Sequence, residues 1–139
     1  MERRQVVLDS SVVVKWFSKE DKSEEAIKLL DSYLQGKSEL VVSELLYCEV
    51  GNALRYKPDY DTEKLKKALT NLFHLQLKVT HLTEDLLTKA SDIAFEGKIT
   101  LYDSLPVAIA DQKQTVCITA DQETQYKKLH TKGYPIELL

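Results

Sequence analysis

Cysteine is scarce in this chain of 139 residues, which holds only Cys48 and Cys117. Both lie in apolar stretches and read as small reduced core residues rather than a bridge or a redox pair. Neither stands at ligand spacing to His74, His81 or His130, so zinc is not expected. Glycine and proline are few, at four and three, and no repeat or low-complexity tract interrupts the chain. Collagen, coiled coil and disorder are excluded, and residues 1–139 read as a single domain. No apolar run approaches the roughly 20 residues that cross a bilayer. The opening MERRQVVLD carries charge and an apolar run too short for a signal peptide, so a cytoplasmic protein with no membrane contact is expected. Basic charge is not in excess: 19 basic against 22 acidic residues give a net charge of −3. Composition therefore announces no nucleic-acid surface, and any nucleic acid handled here needs a local offset to the negative charge.

What is present is an alternation of short β-branched runs and longer amphipathic ones. QVVLD (5–9), ELVVS (39–43), QLKVTHL (76–82), TVCIT (115–119) and the terminal PIELL read as strands. Between them lie helical stripes. One carries Ala26, Ile27, Leu29, Leu30, Tyr33 and Leu34 behind an expected capping box, Asp21 to Glu24, and ends at Gly36. A second runs through LLYCEVGNALRY, capped by Ser43. A third starts at Asp61 or Thr62 and places Leu65, Ala68, Leu69, Leu72 and Phe73 on one face. A fourth starts at Thr83, carries Leu86, Leu87, Ala90, Ile93, Ala94 and Phe95, and closes at Gly97. A nearly all-apolar helix spans about Tyr102 to Asp111, and another runs from Asp121 to about Lys132. Strands separated by helices require crossover connections and hence a parallel sheet. The expected fold is a three-layer α/β/α sandwich with a parallel sheet of about four or five strands.

Open parallel sheets bind ligands beyond the carboxyl ends of their strands. Four carboxylates fall in such places. Asp9 ends the first strand, Asp121 follows TVCIT, Asp103 opens the apolar helix, and Glu49 lies within an apolar helical stripe beside Leu45, Leu46 and Ala53. Each has a plain structural alternative. Asp9 and Asp121 could cap the helices that follow, Asp103 could answer the helix dipole, and Glu49 could pair with Arg55 or a lysine. If instead the four converge, two carboxylates about 4 Å apart repel by roughly 4 kcal/mol at an effective dielectric near 20. Either protons or a cation must then relieve them. An all-oxygen set selects Mg²⁺ or Mn²⁺, and a phosphodiester is the natural substrate of such an ion.

The segments VVLDSSVVVKW, SELLYCEVGNAL, TLYDSLPVAIA and TVCITAD, in that order, resemble the PIN domains, and more narrowly the VapC-type toxin ribonucleases of toxin–antitoxin pairs. The likeness extends over essentially the whole chain. It implies metal-dependent endonucleolytic cleavage of RNA, a cognate antitoxin that blocks the site, and a homodimer. It also implies that Asp9, Glu49, Asp103 and Asp121 form the acidic metal cluster, with Ser10 and Thr119 as supporting hydroxyls. Pro106 departs from the family pattern; in a first helical turn its missing N–H is harmless.

Secondary candidates surround these. Ser10 reads either as a first-turn residue or as a donor to Asp9, and Thr119 either serves the turn or the site. Asn52, three residues from Glu49, is placed to orient it or to face solvent. Lys15 and Trp16 are candidates for a cation and a stacking ring on RNA, with a core role for Trp16 the alternative. Two other phosphate chemistries fit poorly. A phospho-accepting receiver needs an acidic pair after the first strand, where this chain has Asp9-Ser10-Ser11. A haloacid-dehalogenase-type phosphatase needs Asp-x-Asp, and Ser11 holds the second place. A nuclease that processes RNA without an antitoxin, and a non-catalytic RNA- or protein-binding module of the same fold, remain as alternatives.

Overall fold

The computed structural model describes residues 3–139; the first two residues of the opening segment lie outside them. β1 (Arg4–Leu8) leads into a short α1 (Ser10–Val13), a 3₁₀ turn (Val14–Trp16) and α2 (Ser23–Leu34). β2 (Ser38–Ser43), α3 (Leu46–Arg55), α4 (Thr62–His74) and β3 (Lys78–Thr80) follow. Then come α5 (Glu84–Gly97), α6 (Leu101–Gln112), β4 (Cys117–Thr119), a π-turn (Gln122–Tyr126), α7 (Lys127–His130) and β5 (Ile136–Leu138).

The five strands form one sheet in the order β3-β2-β1-β4-β5. Every pairing is parallel, with Val7 of β1 opposite both Val41 of β2 and Cys117 of β4. Successive strand side chains point to opposite faces, and both faces are covered. Val6, Leu8, Leu40, Val42 and Ile118 pack with Val12, Leu46, Val50, Leu54, Ala68 and Leu72 on one side. Val7, Val41, Cys117 and Ile136 pack with Leu86, Ala90, Ile93, Leu105, Ile109 and Leu129 on the other. The result is the three-layer α/β/α sandwich with a parallel sheet that the strand–helix alternation calls for.

The chain proceeds from β1 outward to β2 and β3, then returns to place β4 and β5 on the other side of β1. The order thus reverses between β1 and β4. Side-by-side strands whose connections leave in opposite directions open a crevice at their carboxyl ends, where ligands of such sheets bind.

Several local expectations are corrected. Cys48 is exposed, and only Cys117 is a core thiol. Phe95 points outward with 87% of its surface accessible. The capping box at Asp21 does not form: Lys22 takes a left-handed conformation as the cap of α2, and the Ser23 hydroxyl instead accepts from the Glu20 N–H at 2.9 Å. Pro106 is the sixth residue of α6 rather than part of its first turn, so the N–H it lacks is the one the Tyr102 carbonyl would otherwise accept.

Candidate active site

Asp9 follows the last residue of β1 and is the N-cap of α1. Its backbone N–H donates to the Ile118 carbonyl at 3.0 Å, which fastens the end of β1 to β4. The carboxylate is 5% exposed and is held from two sides. Oδ2 accepts from the Ser11 N–H at 3.1 Å and from the Ser11 hydroxyl at 2.5 Å. Oδ1 accepts from Nε2 of Gln125 at 3.1 Å. Capping and site geometry therefore coexist in one residue.

Gln125 is 1% exposed and joins three elements through one amide. Besides Asp9, its Nε2 donates to the Asp103 carbonyl at 2.9 Å. Its Oε1 accepts from the Thr119 hydroxyl at 2.9 Å. The Thr119 hydroxyl has a single proton, and the 2.9 Å contact to Gln125 claims it over the 3.4 Å contact to Asp9. The same oxygen accepts from the Asp121 N–H at 3.1 Å. Thr119 thus serves both the turn and the site. The π-turn that follows Asp121 brings Gln125 under β1; such turns recur at functional positions because the extra residue redirects a side chain. Asp121 starts this turn, its Oδ1 accepting from the Thr124 N–H at 3.0 Å.

Asp103 sits in the first turn of α6, behind Thr100, whose hydroxyl accepts from the Asp103 N–H at 3.1 Å. Glu49 is half-buried in the first turn of α3. With Ser10, Cys48, Asn52, Ala53 and Tyr102 it lines an open groove of about 440 Å³.

The charges of these groups act on one another. Burial pushes the Glu49 carboxyl up to about 7, and the neighbouring Asp9 and Asp103 charges push the same way. Burial likewise raises Asp103, with Asp9 and Asp121 adding to it and the Thr100 hydrogen bond opposing it. Asp9 and Asp103 thus act on Glu49, and Asp9 and Asp121 act on Asp103. Among the described residues no lysine, arginine or histidine forms an ion pair with any of the four. The salt-bridge alternative for Glu49 is thereby removed. Among the described residues no three His, Cys, Asp or Glu side chains close into a ready-made cage for an ion. The donor set is nonetheless all carboxylate oxygen and uncompensated. That suits Mg²⁺, which keeps several waters and needs only one or two direct carboxylates.

The secondary candidates separate. Ser10 lines the groove beside Glu49, but the hydroxyl that reaches Asp9 is that of Ser11, a correction by one position. Asn52 is exposed on the groove wall. Lys15 is committed elsewhere, 3.2 Å from Glu20 Oε1 and 2.6 Å from the Asp21 carbonyl. Trp16 packs on the core and donates to the Ala26 carbonyl at 2.8 Å. Ser11 and Gln125 were not among the sequence candidates. Gln125 lies in the polar run DQETQYKK and carries no sign of burial; Ser11 was distinguishable from Ser10 only as the residue two after the capping aspartate.

A family profile for the PIN domain matches residues 6–129. The chain belongs to the PIN domain family. No curated protein matches the sequence significantly, whereas solved structures match the fold. VapC20 of Mycobacterium tuberculosis, described as a sarcin–ricin loop cleaving toxin, superposes with a TM-score of 0.70 at 16% identity, covering 93% of this chain and 95% of that one. FitAcB of Neisseria gonorrhoeae gives 0.68 at 16% identity, covering 96% of both chains. A toxin–antitoxin complex of Klebsiella pneumoniae gives 0.64 at 15% identity, covering 86% of this chain and 88% of that one. Among the described residues no helix is long and apolar enough to cross a membrane.

Proposed function

We propose that this protein is a Mg²⁺- or Mn²⁺-dependent endoribonuclease that cleaves RNA phosphodiesters, and that it acts in the cytoplasm as the toxin of a toxin–antitoxin pair. The observation that carries the reading is the uncompensated set Asp9, Glu49, Asp103 and Asp121 at the crevice where the sheet order reverses, in a chain of the PIN family. One or two of these side chains would bind the ion directly and the others through its waters. When bound, a divalent ion lowers the pKa of water and offsets charge on a phosphoryl oxygen.

The chain's own groups do the positioning. Ser11 and Gln125 fix both oxygens of Asp9, so its orientation does not wait on substrate. Gln125 ties Asp103 to the same frame through its main chain. Glu49, raised to about 7 by burial and by the Asp9 and Asp103 charges when no ion is present, would give up its proton as a divalent ion takes its place beside the carboxylate. The antitoxin is proposed from the kinship of the fold with toxins of such pairs. A homodimer is proposed as well, for which the hollow of about 420 Å³ beside the exposed Phe95 and Leu101 offers apolar surface.

A second reading is a non-catalytic binding module of the same family, favoured by the lack of a closed cage of ligands among the described residues. One experiment separates the two. Purified parent protein with millimolar Mg²⁺ or Mn²⁺ should cut single-stranded RNA, and Asp9→Asn or Asp103→Asn should lose at least 100-fold in rate while keeping the parent circular dichroism spectrum. A variant that cuts as fast as the parent removes the site assignment, and a metal-loaded parent that cuts nothing leaves the binding module.

A further inference from the structure

The groove beside Glu49 has a property that the carboxylate site does not explain. It is lined by Ser10, Cys48, Glu49, Asn52, Ala53 and Tyr102, with no lysine or arginine among them. A track for phosphates needs cations; this wall offers instead a ring, an amide and small side chains. Tyr102 is 63% exposed although it sits on the most deeply buried helix of the fold, where residues Ser104–Ala110 are all buried. Its ring thus stands on a rigid base one residue before Asp103. Asn52 is exposed on the facing α3, one helical turn from Glu49.

We propose that Tyr102 and Asn52 form a nucleobase subsite, which takes the unpaired base of a nucleotide flanking the scissile phosphate of single-stranded RNA. This rests on the nuclease reading of the adjoining acids. Every base has a π face that stacks on an aromatic ring, and such stacking is sequence-tolerant and needs no positive charge. The amide of Asn52 presents a donor and an acceptor together, the pattern that pairs with the edge of a base. Stacking also answers the charge problem of a chain at −3: affinity at this position comes from a neutral contact, so substrate is drawn to an acidic site without a basic wall. A duplex cannot use the subsite, because its bases are already stacked and paired.

The test is equilibrium binding in Mg²⁺ of a short single-stranded RNA carrying 2-aminopurine, a base whose fluorescence falls on stacking, with Asp9→Asn protein so that strand scission does not intervene. Saturable quenching is expected. Adding Tyr102→Ala should weaken it about tenfold or more, adding Tyr102→Phe should leave it within about twofold, and the same label within a duplex should not respond. Adding Asn52→Ala should alter the preference among the four bases at the labelled position with little change in overall quenching. Equal quenching with alanine and tyrosine at 102, or equal loss with alanine and phenylalanine, overturns the subsite, as does preference for the duplex or quenching produced by no RNA at all. Cleavage by the parent protein is scored separately, so a chain that stacks the base but never cuts would overturn the nuclease reading and leave the subsite standing.

Discussion

Glu49 shows what a single residue can be made to do by its surroundings. Its helix turns Leu46, Val50 and Leu54 into the core, and the carboxylate sits at the border of that face. No cation meets it among the described residues, so burial and the charges of Asp9 and Asp103 lift it from the ordinary carboxyl range to about 7. The folded state therefore binds a proton here that the unfolded chain has already released between those two limits. Where the native state holds more protons than the unfolded one, stability falls as pH rises. The parent, free of divalent ions, is expected to lose melting temperature from about pH 5 to pH 7.5. Glu49→Gln should flatten that segment of the curve and melt higher than the parent at pH 7.5. Parallel curves for the two proteins, read by thermal circular dichroism, would show that Glu49 is not the group responsible. At this scale the places of the four acids relative to strand ends and helix starts are legible, because a carboxylate inside an apolar stripe or just past a strand stands out in the pattern. That of Gln125 is not, since nothing marks one glutamine in a polar run as the one that will be buried. Nor could the pattern decide between Ser10 and Ser11, which differ only in which way a cap turns.

The corner between α5 and α6 decides where Asp103 stands. α5 ends at Gly97, whose missing side chain lets Leu129 approach: a Cβ there would meet Leu129 Cδ2 at 2.5 Å. Lys98 then turns the chain in the left-handed region, at φ 55°, and Thr100 caps α6. Three residues thus separate two helices, and the first turn of the second carries Asp103. The cap satisfies the Asp103 N–H directly, so its loss acts both on the helix and on the site. Thr100→Ala is expected to cost about 1 kcal/mol in urea unfolding, and Thr100→Ser to restore most of it. An alanine variant as stable as the parent would mean that solvent serves that N–H as well as threonine does. Caps of this kind are readable in part: Thr83 is the N-cap of α5, and of the two starts offered for α4, Asp61 is the N-cap and Thr62 the first helical residue, whereas α3 is preceded by Leu45 rather than capped by Ser43. The box at Asp21 fails because the Ser23 hydroxyl, accepting from the Glu20 N–H, and a left-handed Lys22 offer the backbone another arrangement. The last helix, expected as one piece from Asp121, breaks into a π-turn and α7 because Gln125 is drawn inward by Asp9, Asp103 and Thr119, contacts more than 20 residues away in one case and more than 100 in another. Periodicity carries no information about such distant claims.

On the scale of the molecule, the sheet order is what gathers the acids. β1 and β4 are neighbours although 108 residues separate Leu8 from Cys117 in sequence numbering, so Asp9 and Asp121 leave the sheet side by side, and α6 supplies Asp103 from the layer that covers Val7 and Cys117. Parallel pairing could be read from strand–helix alternation; the reversal between β1 and β4 could not, since alternation is the same for either order. A cluster assembled this way is held together by the two cores against its own repulsion. An ion that binds only the folded form offsets that repulsion and adds RT ln(1 + [L]/Kd) to stability, about 1.4 kcal/mol when the free ion stands tenfold above its Kd. For a chain of this size that is a rise in melting temperature of roughly 4 °C. The expectation at pH 7.5 is a rise of that order for the parent on adding 10 mM Mg²⁺ or Mn²⁺, and little or none for Asp103→Asn. Without metal, Asp103→Asn should melt at or above the parent, because a neutral amide removes two of the repulsions that raise Asp103 and one that raises Glu49. A general salt effect would move both proteins together, and K⁺ at equal ionic strength would reproduce it. Only a shift confined to the divalent ion and to the intact set of four carboxylates shows that the crevice is built around a cation.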